Sequence, residues 1–339
     1  MLIPYEARNF GSHWGTALSG NHDLQCTWSK IIWAAVTVGR KNWRDAWIHG
    51  NYSVFEAIYR VFMIYANLME QNDYIKQSPA FNHLDPSEKS AISYFFGLIT
   101  SKLFTEKCFN VPWLMHLDVY RDELSPTVVG KRKSDLVGHN RRGEWVVVEA
   151  KGRSRGFDSI AQDKGKRQTS VVRKVSGDYP ILRSVIQSYF YRDNLSLKVD
   201  DPDGSEEEGL DIEIAPDTFI RNYYSLVMDI LHGGEGPKRT TIKEQPFVVA
   251  GLKEVDMSVG LREPFYDILI KKQVDKILLS ETFMHEFRVS ESDTIDKTKD
   301  DLSYIGNDGI LVKCGSSWKH ELMSKPPEKR SLGDDKNSQ

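Results

Sequence analysis

The stretch that most narrows what this chain can become is Ser134 to Lys151, SDLVGHNRRGEWVVVEAK. It reads as two strands joined by a tight turn. Asp135 stands on the first strand, and Asn140-Arg141-Arg142-Gly143 supplies the turn, with Gly143 free to take a positive φ. Val146-Val147-Val148 is apolar at consecutive positions, the pattern of a strand buried on both faces. Glu149 and Lys151 end that strand, and residues two apart on a strand share a face. A carboxylate and an amine therefore emerge together from apolar surroundings, where charge is costly unless it is used. A surface hairpin ending in a Glu/Lys pair is the plain alternative. The valine run and the order of the neighbouring elements speak against it.

Those neighbours can be read in turn. Asp85-Pro86-Ser87-Glu88 offers an N-cap, a proline at the first helical position and a glutamate at the third, predicting a helix to about Phe104–Cys108. Ile92, Phe95, Phe96, Ile99 and Leu103 form its buried side, and Gly97 allows another backbone to come close. Trp113 to Tyr120 reads as a strand with Leu114, His116, Asp118 and Tyr120 on one face. After Lys151 comes a basic loop, GRSRG, then a helix from Asp158 or Ser159 towards Val175, then a strand from Tyr179 to Tyr191. The order is helix, three strands, helix, strand.

An acid, a loop and acid-any-Lys on an apolar strand, in that order of elements, resembles the PD-(D/E)xK, or restriction-endonuclease-like, nuclease superfamily. Ser134-Asp135 replaces Pro-Asp, and Glu149-Ala150-Lys151 is the second element. The resemblance covers about residues 86–191. It implies an α/β fold with a mixed sheet and an αβββαβ core. It also implies that Asp135, Glu149 and the Ala150 carbonyl hold Mg²⁺, with Mn²⁺ as a substitute, and that Lys151 positions or activates the attacking water. The chemistry is coherent. Mg²⁺ prefers oxygen ligands and keeps several waters, so two carboxylates suffice. A bound metal makes water a better nucleophile and neutralises charge on the phosphate. In this superfamily the helix after the Glu-x-Lys strand often turns a Gln or Lys towards the site, which leaves Gln162 and Gln168 both open.

Charge distribution supports a phosphate substrate. The whole chain carries −3, yet Lys131 to Lys174 holds 13 Lys/Arg against 5 Asp/Glu, a local +8. Arg153, Arg155, Lys164, Lys166 and Arg167 flank the proposed site as candidate backbone-phosphate contacts. The expected activity is a Mg-dependent endonuclease, with DNA the favoured substrate by family resemblance and restriction or anti-phage defence the analogous role. The alternatives are a non-catalytic nucleic-acid-binding or assembly module, and a nuclease subunit silent without a partner such as a separately encoded ATPase. The chain has no Walker motif, and Gly233-Gly234-Glu235-Gly236-Pro237 lacks the Gly-Lys-Ser/Thr ending of a phosphate loop. Gly138-His139-Asn140 is explained by the turn rather than by an HNH motif.

Outside the core, residues 1–80 read as a mostly helical N-terminal region. Ser53-Val54-Phe55-Glu56 forms a capping box there, and Trp14, Trp28, Trp33, Trp43 and Trp47 serve as packing or contact aromatics. The core is expected over 81–232, and 233–324 reads as a C-terminal α/β extension. That extension includes a strand at Phe247–Leu252, a helix at Pro264–Leu279 and a strand at Ile310–Lys313. Residues 325–339, rich in Pro, Lys, Asp and Ser, read as a disordered tail, and Asp200–Gly209 as an acidic loop. Cys26, Cys108 and Cys314 are too few and too scattered for a disulfide framework or zinc motif, and read as buried reduced thiols. No apolar run reaches membrane-spanning length and the first residues lack a signal-peptide pattern, so the expectation is a cytoplasmic protein, with a homo-oligomer compatible.

Overall fold

The computed structural model describes residues 1–11, 14, 18–38, 52–117, 134–201, 209–233, 236–271 and 302–316, with the side chains of 52–54 excepted. Two sheets organise it. The larger has nine strands: β1 (Leu2–Arg8), β2 (Gly20–Gln25), β3 (Leu68–Gln71), β4 (Tyr74–Gln77), β5 (Trp113–His116), β6 (Leu136–His139), β7 (Trp145–Gly152), β9 (Leu182–Tyr191) and β10 (Asn194–Asp200). Its order is β2-β1-β4-β10-β9-β7-β6-β5, with β3 paired to β4 and β1 also paired to β10. Strands β5, β6 and β7 are antiparallel neighbours, whereas β7 and β9 run parallel. A short β8 (Val172–Val175) pairs with β11 (Leu210–Ile212) apart from this sheet.

The elements around the valine run follow from local chemistry. Helix α4 (Pro86–Phe109) begins at a complete capping box: Asp85 accepts from the backbone of Ser87 and Glu88, while Glu88 accepts from the backbone of Asp85. It ends at Asn110 in the left-handed conformation, φ 52°. Trp145 to Ala150 is buried throughout, as a strand covered on both faces requires. Helix α4 covers one face, and helix α5 (Ser159–Ser170) covers the other as the crossover between parallel β7 and β9. The β6–β7 turn is closed by Asn140, whose Oδ1 accepts from the backbone of Arg142 and Glu144, both at 2.9 Å, and Gly143 sits at φ 85°. His139 lies in the strand, packed between Trp113 and Trp145; burial pulls its pKa down to about 4.

The second sheet runs β12 (Lys238–Ile242), β13 (Gln245–Leu252), β14 (Met257–Arg262), β16 (Ile310–Cys314), β15 (Ser303–Ile305), all antiparallel. Helices α6 (Pro216–His232) and α7 (Glu263–Ile270) pack on it, as does α1 (Trp28–Thr37). The remaining helices are α2 (Tyr52–Asn67) and the single-turn α3 (Pro79–His83).

Several expectations need correction. The described residues of 1–80 are not helical alone: beside α1 and α2 they hold β1, β2, β3 and β4, which all belong to the large sheet. Strand β1 pairs antiparallel with β2, which follows it in the chain, and parallel with β10, where Tyr5 stands opposite Leu197, so part of its stabilisation is remote in sequence. The helix from Asp158 stops at Ser170 instead of nearing Val175, because the β-branched Val171-Val172 pair leads into β8. Strand β9 starts at Leu182 rather than Tyr179, since Pro180 offers no backbone donor. Strand β5 ends at His116, and Asp118 and Tyr120 lie outside the described residues. The same holds for Trp43, Trp47, the Ser53 side chain, most of the acidic loop, residues 272–279 and the tail. Cys26 and Cys314 are buried, Cys108 is partly buried, and all three are free thiols. Among the described residues no helix is long and apolar enough to cross a membrane.

Candidate active site

Strand β7 rises out of the core and delivers Glu149 and Lys151 where α4 and α5 part. The β6–β7 register pairs Leu136 with Val148, so Asp135, one residue before β6, comes to Glu149. It lies just ahead of the strand rather than on it, because its backbone N–H is spent on a side chain: it donates to Glu149 Oε2 at 2.9 Å. Glu149 is wholly buried, and its Oε1 takes the ammonium of Lys151. Lys151 also donates to Gln168 Oε1 at 3.0 Å. Asp135, Ala150 and Lys151 share a cleft of about 330 Å³ with Tyr94 from α4, Arg153 and Ser154 from the following loop, and Lys164 from α5.

Three glycines make this approach possible. A Cβ on Gly97 would come within 2.9 Å of the Lys151 and Gly152 backbone, and one on Gly152 within 1.7 Å of the Ser93 carbonyl oxygen. Helix α4 therefore lies directly on the end of β7. On the opposite face, a Cβ on Gly165 would stand 2.7 Å from Val185 and 3.3 Å from the Glu149 side chain.

The electrostatics are those of two acids crowded in a dry place. Burial, followed by the charge of Asp135, raises Glu149 from 4.5 to about 8, against the opposing pull of Lys151 and the Asp135 amide. Burial also raises Asp135; Lys151, His116, the Ala150 amide and the Glu149 carboxyl act the other way. Lys151 supplies one positive charge to this pair, and a divalent ion would add a stronger one. Two carboxylates beside a strand end form a sparse all-oxygen set, suited to a hard ion that keeps most of its water. Among the described residues no group of three or more His, Cys, Asp or Glu could form a fuller cage. The residues thus fit Mg²⁺ or Mn²⁺ better than zinc, which prefers nitrogen and sulfur ligands.

The two candidate glutamines separate cleanly. Gln168 bonds Lys151. Gln162 is buried on another side of α5, where it donates to Asp200 Oδ2 at 2.8 Å and accepts from Gln187 at 3.2 Å. It therefore holds the helix to β9 and β10 and does not reach the two acids. The basic residues also divide. Arg153 and Lys164 line the cleft, with Arg153 pairing with Asp158 at 2.9 Å. Arg155 and Arg167 are exposed. Lys166 turns to Asp200 at 3.6 Å, away from the cleft, because it follows Gln162 by one helical turn. Sequence reasoning overlooked Tyr94, whose hydroxyl sits 2.7 Å from His116 Nε2. Its place in the cleft depends on the packing of Gly97 on β7, for which Gly97 was the only local sign.

Comparison of the chain with protein-family models, with curated proteins and with solved structures gives no match.

Proposed function

We propose that this chain is a metal-dependent nuclease built on a restriction-endonuclease-like core and hydrolysing phosphodiester bonds, with DNA the favoured substrate and restriction or anti-phage defence the analogous role. The observation that carries the reading is the meeting of Asp135, Glu149 and Lys151 at the end of a buried strand, with Asp135 and Lys151 lining a cleft and Glu149 buried behind them. The arrangement of α4, antiparallel β5-β6-β7, α5 and parallel β9 supports the core assignment.

Asp135 and Glu149 would hold Mg²⁺ or Mn²⁺, with the Ala150 carbonyl as the third proposed ligand. When bound, the ion supplies a stronger water nucleophile and neutralises charge on the phosphate. Lys151 is held between Glu149 and Gln168, so its ammonium is oriented before substrate arrives. It orients the water and stabilises negative charge developing on the phosphate. Gln168 is a positioning residue acting through Lys151. Arg153 and Lys164 offer positive charge to the phosphates on either side of the scissile bond.

Purified protein incubated with linear, circular and single-stranded substrates, in Mg²⁺, Mn²⁺ or EDTA, tests the proposal. Cleavage should require the metal and vanish in Asp135→Ala and Glu149→Ala. Lys151→Ala should keep metal binding, measured by calorimetry, and lose about 10²–10⁴-fold in single-turnover rate. Lys151→Arg should not rescue, since a guanidinium is broader than a point charge. Parental activity in any of these variants would sink the assignment. Binding of nucleic acid without cleavage under every condition would favour the non-catalytic module, or a subunit awaiting a partner.

A further inference from the structure

The loop between β7 and α5 has two ends with different chemistry. Its first half puts Arg153 and Ser154 into the cleft. Its second half crosses β9: Asp158 N donates to Gln187 Oε1 at 2.8 Å, and Phe190 N donates to Arg155 O at 2.9 Å. Phe157 is thereby laid against Tyr189, ring centroids 5.8 Å apart, yet remains 42% exposed. Lys151 pairs in register with Gln187, so Tyr189 and Tyr191 leave the same sheet face as Lys151, further along the neighbouring strand. Tyr191 is 57% exposed. Cations are interleaved with these rings: Lys198 lies 5.8 Å from the Phe157 centroid and Arg192 5.3 Å from that of Tyr191. Beyond them a second groove of about 310 Å³ is lined by Glu6, Asn21, Asp23, Tyr189, Tyr191 and Ser196.

We propose that this surface is the track of a single-stranded nucleic acid entering the cleft, with bases stacked on Phe157, Tyr189 and Tyr191. The inference rests on the nuclease reading and names its substrate class. Exposed rings beside a phosphate-sized cleft are of little use to a duplex, whose bases are already stacked inside the helix. A single strand offers a π-face at every nucleotide, and Arg192 beside Tyr191 is placed to meet its backbone, Lys198 being buried against Glu6. The polar groups of the second groove suit base edges rather than phosphates. Asp23 accepts from base amino groups, Asn21 and Ser196 donate and accept, and the Glu6 carboxylate is already taken up by Lys198 and Arg8. A protein partner would be better served by a continuous apolar patch than by rings alternating with cations.

The test is run in EDTA, so that it does not depend on hydrolysis. A labelled oligonucleotide of roughly eight residues, within the usual span of a single-strand site, is titrated as single-stranded DNA, single-stranded RNA and duplex DNA. Anisotropy reports binding, and a 2-aminopurine base reports stacking by its quenching. The parent should bind the single strands more tightly than duplex and quench the probe, the DNA and RNA arms telling which sugar is preferred. Phe157→Ala and Tyr191→Ala should each weaken single-strand binding roughly 5- to 100-fold and relieve quenching. Phe157→Tyr should restore both. Unchanged binding in both alanine variants, or tighter duplex binding without quenching, would overturn the inference. Metal-dependent cleavage of duplex alone would overturn it while leaving the nuclease reading intact. Single strands that bind and quench but are never cleaved would support it and remove the nuclease reading instead.

Discussion

Glu149 holds its proton against the usual order for a carboxylate. Its pKa stands near 8 in the folded chain against 4.5 when unburied, so the folded state binds the extra proton between those values. The stability this group contributes is therefore complete below about pH 4.5 and gone above about pH 8. Metal-free protein should lose thermal stability through this group as pH rises across the window. Glu149→Gln, which cannot ionise, should show a flatter profile, and the difference between the two isolates the residue from other titrating groups such as Asp308. Mg²⁺ or Mn²⁺ competes with the proton for the same oxygens, so the stabilisation it confers should grow with pH up to about 8. Thermal unfolding of parent and variant, with EDTA or with metal, checks both trends. Identical metal-free profiles for parent and variant would mean Glu149 is ionised throughout and the pair of acids is not in conflict.

At the scale of elements, what matters is how closely two helices lie on the end of β7. A methyl group on Gly152 has the Ser93 carbonyl oxygen in its place, and that carbonyl is backbone, so it cannot yield by a rotamer change. Gly152→Ala should destabilise by about 1–3 kcal/mol or more, read by urea unfolding. Gly165→Ala presses on Val185 and the Glu149 side chain instead, so it should cost activity out of proportion to stability. A parental denaturation midpoint for Gly152→Ala would show that α4 can lift away freely. This packing also marks what was legible in the sequence. The capping box at Asp85, the Asn140–Gly143 turn and the valine run are local signals, and α4 and β7 follow from them. The meeting of Asp135, Glu149 and Lys151 was accessible too, because strand alternation and one hairpin register bring them together. Choosing Gln168 over Gln162 required the rotational phase of α5, which Gly165 sets by packing on Val185, a contact invisible in composition. The N-terminal strands were hidden for a different reason. Leu2–Arg8 alternates poorly, and although β2 pairs with it from nearby in the chain, its parallel partner β10 lies far along the sequence. Non-local pairing leaves little trace in either segment alone.

Across the whole molecule, the two sheets are joined by a buried polar cluster built around α4, the helix that also carries Gly97 and Tyr94 to the cleft. Lys102 has no exposed surface; its ammonium donates to Tyr223 Oη at 2.8 Å and to the Pro112 carbonyl, and lies 4.8 Å from the Trp33 centroid. Asp308, from the turn before β16, accepts from Trp33 Nε1 at 3.1 Å, from Tyr223 Oη at 2.5 Å and from the Ile310 amide at 3.0 Å. Burial pulls Lys102 down to about 8 and pushes Asp308 up to about 6, so each opposes the cost of burying the other. Glu106, one turn after Lys102, accepts from Tyr304 Oη and the Asn307 amide, and Arg141 of the β6–β7 turn reaches the Asn307 carbonyl at 3.3 Å. Removing Asp308 takes the acceptor from a tyrosine hydroxyl and an indole N–H, and takes from the buried Lys102 ammonium the nearby negative charge that helps to balance it. Asp308→Ala should therefore cost about 3–5 kcal/mol, the range for breaking a buried pair from one side. Lys102→Met should cost less, because the Asp308 carboxyl keeps three donors and can take up a proton. The double variant Lys102→Met/Asp308→Ala should fall short of the sum of its single changes, since neither charge is then left alone. Urea unfolding of the four proteins completes the cycle. Single changes that add within about 0.5 kcal/mol, the usual result for independent sites, would mean the two residues do not act as a unit, and the union of the two sheets would have to rest on apolar packing of α1 and α6.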